Sequence, residues 1–286
     1  MSLSRRDLLK YGGAAAVAAT VGRPVWQPKP VLADEAEKKP IPIGLQLYSI
    51  RHQAQQDLPG VLKAVAEMGY EGVEFAGYYG RTAEEMKQLL DDHGLKCCGT
   101  HIGLNALTGD ALKATVEYNQ TLENPYLIVA GMGRGYTESL ETVRERADVY
   151  NEIAERLEPL NMQTGYHAHG YDFRQIDGET AWDLFFEHTR PDVIMQLDVG
   201  NCIGGGGDPY ATLRRFPGRS VTIHLKEYGG PPEAVVGEGD VDWKKIMEIC
   251  ETVGGTEWYI VEHERGAGDP MDNVRRCLEN LRELRG

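Results

Sequence analysis

The chain has 286 residues, 41% of them hydrophobic, enough for one large domain with a sizeable core. Its formal net charge of −14 leaves no basic stripe to neutralise phosphates, which argues against nucleic acid as a partner. The cysteines Cys97, Cys98, Cys202, Cys250 and Cys277 show no CxxC or zinc-finger spacing and read as buried thiols rather than a disulfide framework.

Ser4-Arg5-Arg6-Asp7-Leu8-Leu9-Lys10 precedes an alanine-rich apolar run from Tyr11 to Val21, and Val31-Leu32-Ala33 offers small residues just before Asp34. Twin arginines, a mild hydrophobic region and a small-residue site together describe a twin-arginine export signal over residues 1–33. An apolar run of about a dozen residues is short for a membrane span. Cleavage after Ala33 is therefore expected, with no stable membrane insertion afterwards and a periplasmic or otherwise exported product. The export machinery is then one partner, and this route carries folded proteins.

A polar linker (residues 34–42) leads into short apolar runs that alternate with amphipathic stretches. Strands are predicted over Ile43–Tyr48, Gly72–Ala76, Lys96–His101, Tyr126–Ala130, Gln163–His169, Val193–Asp198, Ser220–Lys226 and Trp258–Glu264. Helices are predicted between them, over Leu58–Met68, Thr82–His93, Asp110–Leu122, Thr137–Leu160, Gly178–His188, Pro209–Phe216, Asp242–Val253 and Pro270–Leu284. Cap-like starts such as Thr82-Ala83-Glu84-Glu85 and stops at Gly69 and Gly94 support them. This alternation fits a single (β/α)8 TIM barrel over residues 43–286 better than an open doubly wound sheet. No GxGxxG follows the first strand. The run Gly204-Gly205-Gly206-Gly207 lacks the Lys-Ser/Thr of a P-loop and reads as a mobile βα-loop.

Active sites of such barrels lie at the C-terminal ends of the strands, and polar residues gather at those ends here. Gln46 and Tyr48 share a period of two on the first strand, as do His167 and His169 on the fifth and Gln196 and Asp198 on the sixth. His224 and Lys226 follow on the seventh and Glu262 and Glu264 on the eighth, with Glu74 inside the second and His101 closing the third. Buried carboxylates and imidazoles are costly unless paired or bound to metal. Glu74 could simply pair with Lys226, and His101 could be a hydrogen-bonded core residue. Asp198, His224 and Glu262 on three successive strands, with His167 from the preceding one, make a mixed oxygen–nitrogen metal site. The absence of thiolate favours one divalent ion, manganese foremost, with magnesium, cobalt, zinc or iron also compatible.

Ile43-Gly44-Leu45-Gln46-Leu47-Tyr48-Ser49-Ile50-Arg51, Gly165-Tyr166-His167-Ala168-His169-Gly170-Tyr171-Asp172-Phe173, Asp198-Val199-Gly200, His224-Leu225-Lys226-Glu227 and Val261-Glu262-His263-Glu264 resemble the sugar phosphate isomerase/epimerase family. That xylose-isomerase-like barrel group includes ketose 3-epimerases, inosose dehydratases and relatives of endonuclease IV. The resemblance implies a divalent metal held by His167, Asp198, His224 and Glu262, with His169, His101, Lys226 and Glu74 around the substrate. Glu262 is then ligand and base, Glu74 or His169 the second acid/base group and Lys226 the oxyanion stabiliser; Gln46 and Tyr48 join His101 in binding substrate. The chain departs from the family in one place: His167 stands where the epimerases have a glutamate, and Ala168 sits inside the His-x-His motif.

The function expected is a metal-dependent isomerase or epimerase acting through an enediolate on an unphosphorylated sugar or keto-sugar. The alternative within the same chemistry is a keto-sugar lyase or dehydratase, of the inosose dehydratase kind or acting by β-elimination on a 3-keto-glycoside. From another class, a non-catalytic periplasmic sugar-binding protein would need no metal, and an endonuclease IV-like role would need more metal ligands. A homo-oligomer is left open.

Overall fold

The computed structural model describes residues 40–266 and 268–286. The expected signal and most of the linker lie outside the described residues. In chain order the strands are β1 (Ile43–Gln46), β2 (Gly72–Ala76), β3 (Lys96–Ile102), β4 (Tyr126–Val129), β5 (Gln163–His167), β6 (Gln175–Ile176), β7 (Glu179–Thr180), β8 (Ile194–Gln196), β9 (Thr222–Leu225) and β10 (Trp258–Val261). The helices are α1 (Arg51–Gln56), α2 (Leu58–Met68), α3 (Ala83–Asp91), α4 (Ala111–Thr121), α5 (Leu140–Leu157), α6 (Ala181–His188), α7 (Val199–Gly204), α8 (Pro209–Arg215), α9 (Trp243–Ile249) and α10 (Pro270–Arg285).

Eight strands form one parallel sheet in the order β8-β5-β4-β3-β2-β1-β10-β9, and an isolated parallel bridge between Asp198 and His224 joins its two ends. The result is a (β/α)8 barrel, as the alternation predicts. β6 and β7 are a small antiparallel hairpin outside it.

The barrel strands are short and almost wholly buried, as strands covered on both faces must be. Towards their N-terminal ends Cys98, Tyr126, Ile128, Ile194, Trp258 and Ile260 form a separate apolar cluster. Two residues further along the same strand faces, Ile194 gives way to Gln196 and Ile260 to Glu262. An apolar floor thus carries a polar layer. The main core lies outside the ring, where Tyr150 of α5, Tyr166 of β5 and Trp182 and Phe185 of α6 pack edge to face or tilted. The five cysteines are free and buried.

Six predicted strands run past their observed ends, and in the first, fifth and sixth the reason is the same. A side chain there captures a backbone N–H and starts a turn. Gln46 Oε1 accepts from Tyr48 N (2.9 Å), Asp172 Oδ2 from His169 N (2.6 Å) and Asp198 Oδ1 from Asn201 N (2.7 Å). The period of two therefore breaks at Gln46 and at His167, so neither Gln46/Tyr48 nor His167/His169 shares a strand face. The glycine run is also not the mobile loop expected. Gly204 ends α7, Gly205 N donates to Asn201 O (2.9 Å), and a Cβ on Gly205 would lie 2.2 Å from Gly170 O. Only glycine allows the two backbones to pack that closely.

Candidate metal centre

Gln196 organises the polar layer. Its Oε1 can only accept, so His101 Nε2–H (2.7 Å) and His167 Nδ1–H (3.1 Å) must both donate to it. Its Nε2 donates to Glu74 Oε1 (2.7 Å) and to Thr222 Oγ1 (2.9 Å). His167 is thereby fixed with its unprotonated Nε2 towards Glu262, whose Oε2 is 4.0 Å away. Burial and the neighbouring His224 and His101 hold the His167 pKa well below the ordinary value, so its lone pair is available.

Glu74 is fully buried at the centre of the barrel. Gln46 Nε2 (2.7 Å) and Gln196 Nε2 donate to it, and His224 Nε2 lies 2.6 Å and His101 Nε2 3.1 Å from its Oε2. A Cβ on Gly99 would come within 2.5 Å of Glu74 Oε1, so glycine at 99 makes room for this carboxylate. The other His224 nitrogen, Nδ1, is 2.7 Å from Glu262 Oε2. Burial alone would lower the His224 pKa, but its two carboxylate neighbours outweigh it and hold the imidazole up at about 10.

Lys226 reaches Glu262 Oε1 (3.0 Å) and Glu264, with Asp198 Oδ2 at 3.9 Å. Burial opposes ionisation of Glu262, yet His224 and Lys226 hold its pKa well below the usual carboxylate range. Asp198 differs. Its Oδ2 is buried with no hydrogen-bond partner among the described residues, and burial pushes its pKa up to about 7 against the pull of Lys226.

His167, Asp198, His224 and Glu262 each bring one ligand atom, all within 4.8 Å of one another. With the His224 Nδ1 proton displaced, as ligation requires, the carboxylates of Glu74, Asp198, Glu262 and Glu264 are matched by Lys226 alone, an excess of negative charge that a dication would offset. The partnerless Asp198 oxygen points the same way, and two nitrogens with two carboxylate oxygens are a donor set that divalent ions accept. The residues fit the ion. Glu74 beneath His224 and Gln196 beneath His167 are then the hydrogen-bond partners that orient two ligating imidazoles.

A cavity of about 370 Å³ opens above this layer. Tyr48, His101, His167, His169, Lys226 and Glu262 all line it. Gln46 and Glu74 do not: they lie beneath, which places Glu74 as a support of His224 rather than a group facing substrate. His169 Nδ1 has no partner among the described residues, and its ring stacks on Tyr171 at 5.2 Å. Sequence reasoning passed over Gln196 as a positioning residue and left Glu264 out, although it lines the cavity and grips Lys226. The period-two phase of both with Asp198 and Glu262 was the available signal.

A family model described as xylose isomerase-like TIM barrel matches residues 62–284. A model of the twin-arginine translocation pathway signal matches residues 2–22, which indicates export by that route, and among the described residues no helix is long and apolar enough to cross a membrane. The chain is 23% identical over 262 residues to the rhizopine catabolism protein MocC of Rhizobium meliloti, covering 78% of this chain and 80% of that protein. It is 22% identical over 271 residues to an inosose dehydratase of Clostridium tetani, covering 80% and 90%. Among solved structures, a sugar phosphate isomerase/epimerase from Parabacteroides distasonis superposes with a TM-score of 0.75 at 24% identity, over 85% of this chain and 98% of that one. An L-ribulose 3-epimerase superposes at 0.65 and 14% identity, over 85% and 95%, which is a likeness of fold.

Proposed function

The chain belongs to the xylose isomerase-like TIM barrel family, and on that premise we propose that it is an exported, divalent-metal-dependent lyase acting on an unphosphorylated keto-sugar. The observation that carries the metal is the buried Asp198 Oδ2, without a hydrogen-bond partner among the described residues, beside His167, His224 and Glu262. Held by those four residues, the ion would supply Lewis-acid polarisation of a ketone and its neighbouring hydroxyl.

The remaining work falls to the chain's own groups. Glu262, kept ionised by His224 and Lys226, takes the proton from the carbon beside the ketone. Lys226 holds the second Glu262 oxygen and Glu264, and keeps cationic charge beside the developing oxyanion. The bond from the β-carbon to its oxygen breaks, and His169, which lines the cavity, is the group that hands that oxygen a proton. Elimination is favoured because the cavity brings unlike groups together, the Glu262 carboxylate and the imidazoles of His101 and His169, with Glu264 the second carboxylate on its wall. Glu264 is tied to Lys226 and Glu74 lies beneath His224. The dehydration for which the inosose dehydratases among the relatives are named is in keeping with this. Isomerisation or epimerisation is the second reading: the same Glu262 proton is returned to carbon when no leaving group stands β to the ketone.

Protein purified without chelator is expected to carry about one divalent ion per chain by elemental analysis, and Asp198→Asn to lose it; full occupancy in that variant would remove the assignment. Product NMR in deuterated water separates the two chemistries. Loss of water or of an alcohol marks elimination, whereas deuterium at one carbon without loss of mass marks isomerisation.

A further inference from the structure

Beside the metal centre a second chamber of about 680 Å³ opens, nearly twice the 370 Å³ of the first. The two meet at Asn201, Lys226 and Glu264, which line both. A monosaccharide bound at the metal centre leaves this larger space without a role.

The chamber's walls suit a hydroxyl-rich ring. Tyr228 supplies one large flat face, 40% exposed, and stands against Gly204, where a Cβ would already touch its ring at 3.4 Å. Asn201, Lys226, Asp240, Glu264 and Arg265 line the same chamber with donors and acceptors. Arg265 is steadied by donating to Gly229 O (3.3 Å). One aromatic amid so many polar groups matches a sugar, whose ring stacks while its hydroxyls bond sideways; an aromatic leaving group would call for a more apolar lining.

We infer that this chamber is a subsite for a second sugar ring, joined through its glycosidic oxygen to the keto-sugar at the metal centre. The inference rests on the proposed elimination. The substrate class is then an oxidised disaccharide whose ketone lies two carbons from the anomeric carbon, because a leaving group is expelled only from the position β to the ketone. Glu262 takes the proton from the intervening carbon, the electron pair forms the carbon–carbon double bond, and the anomeric carbon–oxygen bond breaks. The second sugar departs with its oxygen protonated, leaving an unsaturated keto-sugar. No oxidant is consumed in the step. A reaction that oxidises one ring hydroxyl must have supplied the ketone beforehand.

The test compares three probes on the metal-loaded protein: a disaccharide with the ketone at that position, the corresponding keto methyl glycoside and the corresponding keto aryl glycoside. Wild type is expected to show a KM for the disaccharide about tenfold below that for the methyl glycoside. Tyr228→Ala should erase most of that difference and Tyr228→Phe should keep it. Tyr228 is exposed enough for both variants to fold, and circular dichroism checks that they do. Equal KM values for disaccharide and methyl glycoside in wild type, or tighter use of the aryl glycoside, would overturn the second-sugar subsite. Calorimetric binding of the unoxidised disaccharide separates this from the chemistry. Binding that depends on Tyr228 without turnover of any keto probe supports the subsite and sinks the elimination, whereas turnover indifferent to Tyr228 does the reverse.

Discussion

Gln196 has one side-chain amide with which to serve four neighbours, and it fixes the protonation pattern of two of them. Replacing it by leucine leaves His101 and His167 free to rotate and strips donors from Glu74 and Thr222. Metal affinity of Gln196→Leu is expected to fall about 10–100-fold, the usual effect of removing a partner that orients a ligand; a competition titration with a chelating dye that finds affinity unchanged would refute the role. Asp172 makes a different residue-scale prediction. Burial pushes its pKa up to about 7, although Tyr136 and Tyr166 hydroxyls and His169 N–H all donate to it. Between about pH 4 and 7 the native carboxyl holds a proton that the unfolded chain has already released, so this group costs stability progressively as pH rises through that window. The difference in unfolding free energy between wild type and Asp172→Asn should therefore shift against wild type from pH 4 to pH 7 in urea titrations; a flat difference would show that the carboxyl ionises normally. That His167, Asp198, His224 and Glu262 would gather at one end of the barrel was legible from residue type and from their places at strand ends. The roles of Gln196 and Glu74 were not, because each is defined by partners on several other strands.

Elements announced by local chemistry were read well. Helix α2 runs over the predicted residues because Asp57 accepts from Gly60 N at its start and Gly69 turns left-handed at its end. Capping also explains three of the overshot strands, since Gln46, Asp172 and Asp198 end the local strand geometry with side-chain bonds that hydrophobic periodicity does not register. Asp198 goes further and founds α7 with one oxygen while keeping the other for the centre. Glu227 is the comparable device for the segment after β9. It accepts from Tyr228 N (2.9 Å), Gly237 N (2.7 Å), Val241 N (3.4 Å) and Trp243 Nε1 (2.8 Å), so a single buried carboxylate shapes the loop beside the second chamber. Glu227→Gln turns one acceptor into a donor facing N–H groups, and is expected to cost about 1–3 kcal/mol. Hydrogen exchange should show the amides of Gly237 and Val241 losing protection first. Unchanged protection there would mean the loop is held by its apolar contacts instead.

At the scale of the whole molecule, the barrel was legible because eight strand–helix units leave few other architectures, but the residues that seal it were not. The ring is sealed between β8 and β9 by one parallel bridge, and the two bridged residues are Asp198 and His224, both candidate ligands. His224 N donating to Leu197 O (2.9 Å) belongs to that bridge, and Met195 N donating to Arg219 O (2.8 Å) is a further backbone bond across the seam. A divalent ion gripping Asp198 and His224 together would act as a staple where the sheet is weakest, linking occupancy of the centre to integrity of the barrel. Export through a route that carries folded proteins makes such a link useful, because an ion acquired before translocation would hold the ring closed during it. Free metal at 100 times its Kd stabilises by about 2.7 kcal/mol, which for a domain of this size raises Tm by roughly 5–10 °C. Differential scanning fluorimetry should show that rise on adding metal to chelator-treated protein, and Asp198→Asn should not show it. Hydrogen exchange at the His224 amide should slow in step with metal occupancy. A Tm and an exchange rate indifferent to metal would mean that the seam holds by its backbone bonds alone, and that the four residues do not bind the ion in the folded chain.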